Sequence, residues 1–180
     1  MRQVVTFVAL VGLVLARSAS ADPPDRVFAG TIVVSAKAFA PAAKTDAETI
    51  AAIRKQAAVT FGEDKKDHTW TLFLVGYFKQ PVDDMEYVLK VKDLSNKTQV
   101  LVSADKYLSS RGLRSASTKL VLDKEKVGVN KELLLTMESK GKMIALTRIQ
   151  ITGEGEHFTG KVDFSDDEED DSAKQPDKKH

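Results

Sequence analysis

The clearest order in the chain is an alternation of apolar and polar positions with a period of two. Over residues 69–79, Trp70, Leu72, Leu74 and Phe78 fall on one face of a strand and Phe73, Val75 and Tyr77 on the other. A strand that is apolar on both faces belongs in a central position, covered from two sides. Gln80-Pro81-Val82-Asp83-Asp84 then predicts a turn. Met85, Tyr87, Leu89 and Val91 alternate with Glu86, Lys90 and Lys92, the pattern of a half-buried antiparallel strand.

Further strands are expected over residues 27–36, 98–104 and 117–123. A hairpin runs out through Leu133, Leu135 and Met137, reverses at Lys140-Gly141 and returns through Met143, Ala145, Thr147, Ile149 and Ile151. Phe158, Val162 and Phe164 line a last short strand, with a bulge expected at Gly160. About eight short strands, spaced by roughly ten residues and joined by turns, predict a mainly β protein, an antiparallel β-sandwich.

One segment departs from this period. Thr45 and Glu48 form a T-x-x-E capping box, and Ala47, Ile50, Ala51, Ile53, Ala57 and Ala58 recur at near-helical spacing. One α-helix is therefore expected over residues 46–58, its alanine-rich face packed closely on a sheet. Asp22-Pro23-Pro24-Asp25 reads as an extended leader, because proline fixes φ and lacks an N–H donor.

The two ends differ in composition from the middle. Met1-Arg2-Gln3, an apolar run from Val4 to Ala16 and the small residues Ala19-Ser20-Ala21 have the form of a signal peptide cleaved after Ala21. At the other end, residues 165–180 contain six consecutive acids, Asp166 to Asp171, and too little apolar surface to pack. The expected organisation is a signal peptide over 1–21, one folded domain over 22–164 and an acidic disordered tail over 165–180. No apolar run long enough to span a bilayer remains after cleavage, so the expected location is periplasmic or secreted, with no transmembrane segment in the mature chain.

The chain contains no cysteine, which closes off thiol catalysis, disulfides and thiolate metal sites. Small secreted animal proteins usually rely on disulfides, so the absence points to a bacterial envelope protein held by its core alone. The net charge is +1 overall, and residues 22–164 hold 22 basic against 19 acidic side chains. That balance, with an acidic tail, is not the footprint of a nucleic-acid binder.

Candidate chemistry is sparse. His68 lies beside Asp67 at the entrance to the 69–79 strand, but neighbours on a strand point to opposite faces, so Asp67 does not orient His68 for general-base work. His157 follows Glu154 and Glu156 in a loop that lacks the spacing of a calcium site. No serine stands in a nucleophile elbow, and there is neither a phosphate loop nor a dinucleotide fingerprint, so no catalytic residue, cofactor or metal is assigned. The most basic stretch includes Arg111, Arg114 and Lys119, the candidate contacts for an anionic ligand. With Tyr107 as the one nearby aromatic, it lacks the interleaved stacking residues of a nucleic-acid platform.

The expected function is an exported, non-catalytic binding or accessory module of the bacterial envelope, with an envelope protein or an anionic polymer as partner. Two alternatives follow from the same residues. One is a small hydrolase or metal-dependent enzyme using His68 or His157; the other is a structural envelope protein that assembles through its sheet edges.

Overall fold

The computed structural model describes residues 22–95 and 99–155. The signal peptide, the 158–164 strand, His157 and the acidic tail of the sequence reading all lie outside these residues. Among the described residues there are eight strands in two sheets, confirming a mainly β architecture. They are β1 (Ile32–Ser35), β2 (Thr60–Gly62), β3 (Thr69–Val82), β4 (Glu86–Asp93), β5 (Gln99–Tyr107), β6 (Leu113–Asp123), β7 (Lys131–Ser139) and β8 (Lys142–Thr152). A three-stranded sheet has the order β1-β3-β6, and a five-stranded sheet the order β2-β8-β7-β4-β5.

Alternation places the core between the two sheets. Ile32, Val34, Trp70, Leu72, Leu74, Phe78, Leu120 and Leu122 from the three-stranded sheet meet Phe61, Tyr87, Leu89, Val91, Leu133, Leu135, Met137, Ile149 and Ile151 from the other. All of these are buried, as period-two patterning requires of a sandwich interior. Gly76 lets the layers approach: a Cβ there would stand 2.3 Å from the Met137 sulfur.

The expected central strand is β3, hydrogen-bonded to β1 on one side and to β6 on the other. Its second apolar face is also covered, because Tyr77 and Val75 pack with Val33, Phe28, Phe39 and Ile53 outside the sandwich. Ile53 comes from helix α2 (Asp46–Gln56), which begins at Thr45 with the Thr45 hydroxyl accepting from the Glu48 amide at 3.2 Å. The Thr45 cap thus starts the helix where expected, while the buried face differs from expectation. Ile50 and Ile53 are buried, whereas Ala47, Ala51 and Ala57 are exposed. The helix stands on two large side chains, so close alanine contact is not what holds it.

Four local expectations are revised. The leader is a single helical turn, α1 (Pro24–Val27), since Pro24 sits in the first turn, where a missing N–H costs nothing. Residues 80–82 continue β3, and the reversal comes one step later; Pro81 lies at the irregular end of the β3–β6 ladder. Residues 60–62, which lie outside every expected strand, form β2, which pairs with β8 in parallel, so the sheets are not antiparallel throughout. A second single turn, α3 (Lys124–Val127), follows β6 and buries Val127.

The two sides of the sandwich are unlike. On one, the outer edge of β8 is closed by β2 and by an isolated bridge between Thr31 and Leu146. The Leu146 amide donates to the Gly30 carbonyl at 3.1 Å and the Gln150 amide to the Val59 carbonyl at 2.7 Å. On the other side, β5 and β6 each end their sheet, and among the described residues no strand lies beyond either.

Candidate functional site

Two features carry polar chemistry: an acid–base cluster at one end of the sandwich and the open side between β5 and β6. The cluster forms where β2 runs into the loop before β3. Glu63 follows β2, and its side chain is only 4 % exposed. His68 adopts φ 52°, a conformation that folds the chain back and brings its Nδ1 to 2.8 Å from Glu63 Oε1. Lys124 Nζ, from the start of α3, lies 3.2 Å from the same oxygen. The Glu154 amide, just past β8, donates to the other oxygen at 3.1 Å.

Gly153 is required at this junction, since a Cβ there would meet Glu63 Oε2 at 2.4 Å. The neighbouring backbone is also engaged. The Trp70 indole N–H donates to the Thr152 carbonyl, and Asn130 bonds Gly153 through both its carbonyl and its amide. The His68 partner bonds hold the Glu63 carboxyl below the usual carboxylate range, with Lys124 and the Glu154 amide adding to the effect and burial opposing it.

This arrangement ties three chain segments together through one carboxylate. His68 itself is 65 % exposed on its side chain, and its partner is Glu63, not the adjacent Asp67. The spacing of five between Glu63 and His68 has no strand or helix period, so only the positive-φ turn reveals the pair. Five surface concavities of about 270 to 500 Å³ among the described residues have linings that include neither His68 nor Glu63. No group of three or more His, Asp or Glu side chains is placed for metal binding among the described residues.

A second buried carboxylate, Asp93, accepts from Lys131 Nζ at 2.8 Å and from the Ser95 amide at 2.8 Å. The Lys131 bond, set against burial, keeps its pKa below the ordinary value. On the outer face of the five-stranded sheet Glu138 lies 2.5 Å from Lys90 and 3.7 Å from Lys92, and its pKa is likewise lowered, chiefly by Lys90. No buried side-chain polar atom among the described residues lacks a partner. The interior therefore presents no unsatisfied donor or acceptor for a ligand to complete.

The open side is built differently. β5 is nine residues long and mostly exposed, with Val100 at 47 % and Tyr107 at 71 %. A groove of about 410 Å³ beside it is lined by Tyr107, Leu108, Ser109, Leu113, Ser115, Ala116 and Ser117. Tyr87, reaching inward from β4, hydrogen-bonds Thr118 on β6, and its burial raises the phenol's pKa.

The basic residues singled out in the sequence do not form one cluster. Arg111 is exposed in the β5–β6 turn. Arg114 Nε lies 3.8 Å from Asp25 of α1. Lys119 Nζ stands 5.9 Å from the centre of the Phe73 ring, a cation–π contact on the outer face of β6. Five positions separate Arg114 from Lys119, roughly 16 Å along a strand. Compared with family models and with curated protein sequences, the chain matches none.

Proposed function

We propose that this chain is an exported, non-catalytic binding or accessory module of the bacterial envelope, and that its contact surface is the free edge of the five-stranded sheet. The observation that carries the reading is β5, beyond which no strand lies among the described residues, displaying Val100 and Tyr107 beside the groove. An exposed edge offers a row of unpaired N–H and C=O groups, and an extended partner segment satisfies them by adding a strand. Alternate side chains of that segment then select for shape, and Tyr107 supplies a large amphipathic contact at the end of the edge. Secretion or export to the periplasm follows from the form of residues 1–21. Arg111 extends the surface toward anionic partners, while Arg114 and Lys119 are already engaged by Asp25 and Phe73.

The test is selection of extended peptides from a displayed library against the mature chain, followed by NMR mapping of the bound face. Shifts concentrated on β5, and loss of binding in Ser103→Pro with Arg111→Glu retained, support the edge. Binding that survives Ser103→Pro refutes it.

The Glu63–His68 pair at 2.8 Å favours one other reading, a small hydrolase in which His68 acts as the base. A screen of ester, phosphate and glycoside substrates decides it. Turnover abolished by His68→Ala would replace the binding reading with this one. Assembly of an envelope structure through the same edges is recognised by a mass in light scattering that rises with concentration.

A further inference from the structure

β5 turns a lysine toward the interior of the sandwich. In the β4–β5 ladder Val102 stands opposite Val91, Ala104 opposite Leu89 and Lys106 opposite Tyr87. Residues directly opposite each other share a face of the sheet, and Tyr87, Leu89 and Val91 all belong to the core. Lys106 therefore takes the inward face in line with Val102 and Ala104, and all three are half-buried. Ser103, Asp105 and Tyr107 take the outer face and are exposed. Before Val102 the ladder breaks: Val91 pairs with Val102 and Lys92 with Val100, so Leu101 is bulged out of register. The regular part of the edge is thus residues 102–107, and its inward positions are two apolar side chains and one cation.

Lys106 differs from the lysines on the neighbouring strand. On the outer face of β4, Lys90 and Lys92 both reach Glu138. Lys106 takes part in no ion pair among the described residues. A strand added beside β5 would cover this ammonium, and covering a charge without a partner is unfavourable. An inward charge on an edge strand therefore rejects apolar strands. It rejects a second copy for the same reason. β5 carries one acid, Asp105, and it faces outward, so two β5 strands paired with their faces aligned never set an acid against Lys106. A foreign strand with Asp or Glu directly opposite Lys106 removes the penalty and adds a cross-strand ion pair.

Resting on the edge reading above, we infer that Lys106 is the specificity-determining residue of that edge. The partner is an extended segment of another protein, with an acidic residue opposite Lys106 and apolar residues at the alternate positions opposite Ala104 and Val102. The same charge excludes copies of this chain.

The test selects peptides from one displayed library of extended sequences against residues 22–180, as wild type and as Lys106→Glu. Wild type should enrich Asp or Glu at one position, spaced by two from apolar residues, and Lys106→Glu should enrich Lys or Arg at that position. A wild-type binder should lose at least about 5-fold in affinity when its acid is replaced by lysine, measured by fluorescence anisotropy, and Lys106→Glu should reverse the order. Lys106→Gln should bind the acidic and lysine versions alike, which keeps the test decisive if the reversed charge disturbs folding. Binders that are lost in Ser103→Pro yet show no charge preference, or a preference unmoved by substitution of Lys106, overturn the inference and leave the edge reading standing. Failure to recover any binder on β5 removes both. In light scattering, wild type should keep its monomer mass as concentration rises while Lys106→Val gains mass. Self-association of the wild type through β5 contradicts the exclusion of copies.

Discussion

At the scale of single residues, one carboxylate joins three segments of the chain. Glu63 is nearly enclosed and receives bonds from His68, Lys124 and the Glu154 amide. A carboxyl whose folded pKa is depressed stabilises the protein above its unfolded pKa and loses that contribution as pH falls through the folded value. Glu63, Asp93 and Glu138 all have lowered pKa values, so stability should hold at neutral pH. It should begin to fall as the pH drops past the ordinary carboxyl values of 4.5 and 3.8. Urea denaturation at a series of pH values should show this acid limb, and Glu63→Gln should flatten it. Gly76→Val is expected to cost about 1–3 kcal/mol by overpacking against Met137, read from the denaturation midpoint. The His68 partner was not legible in the sequence. A backbone turn with positive φ decides which carboxylate the ring meets, and nothing in the spacing encodes that turn.

Among the elements, those with a strong period were legible and those without one were not. β3, β4 and β7 each show alternation over many residues and bury the face it predicts; β8 does so from Ala145 onward, whereas Met143, expected on the same face, is 56 % exposed where the β7–β8 register shifts. β2 has three residues around a single buried Phe61, too few to establish a period, and its parallel pairing with β8 arises from how the chain returns after α2. The helix start was legible through Thr45, but which side chains would be buried was not. Alanine is small enough to suit either a close interface or a solvent face. Thr45→Ala should therefore lower stability by about 1 kcal/mol through the lost cap. Ile53→Ala should cost about 2–5 kcal/mol through the cavity left against Tyr77 and Val33. Ala51→Lys, on the exposed side, should change the midpoint by no more than about 0.5 kcal/mol. The basic stretch shows the converse lesson: residues close in sequence are kept apart by their distance along the strand and by separate partners, Asp25 for Arg114 and Phe73 for Lys119.

For the molecule as a whole, the decisive property is the asymmetry between the two sides of the sandwich. β2 and the Gly30–Thr31 segment close one side over β8, while on the other side β5 and β6 are the last strands of their sheets among the described residues. Neither condition could be read from alternation, which says which face of a strand is buried but not which strand stands at an edge. The edge-binding reading depends on this asymmetry. Residue-resolved amide exchange on residues 22–180 tests it most directly. The Leu146 and Gln150 amides, bonded to Gly30 and Val59, should be protected like the sheet interior, while the amides of β5 that face away from β4 should exchange almost freely. Fast exchange at Leu146 and Gln150, or uniform protection along β5, would contradict a sandwich closed on one side and open on the other.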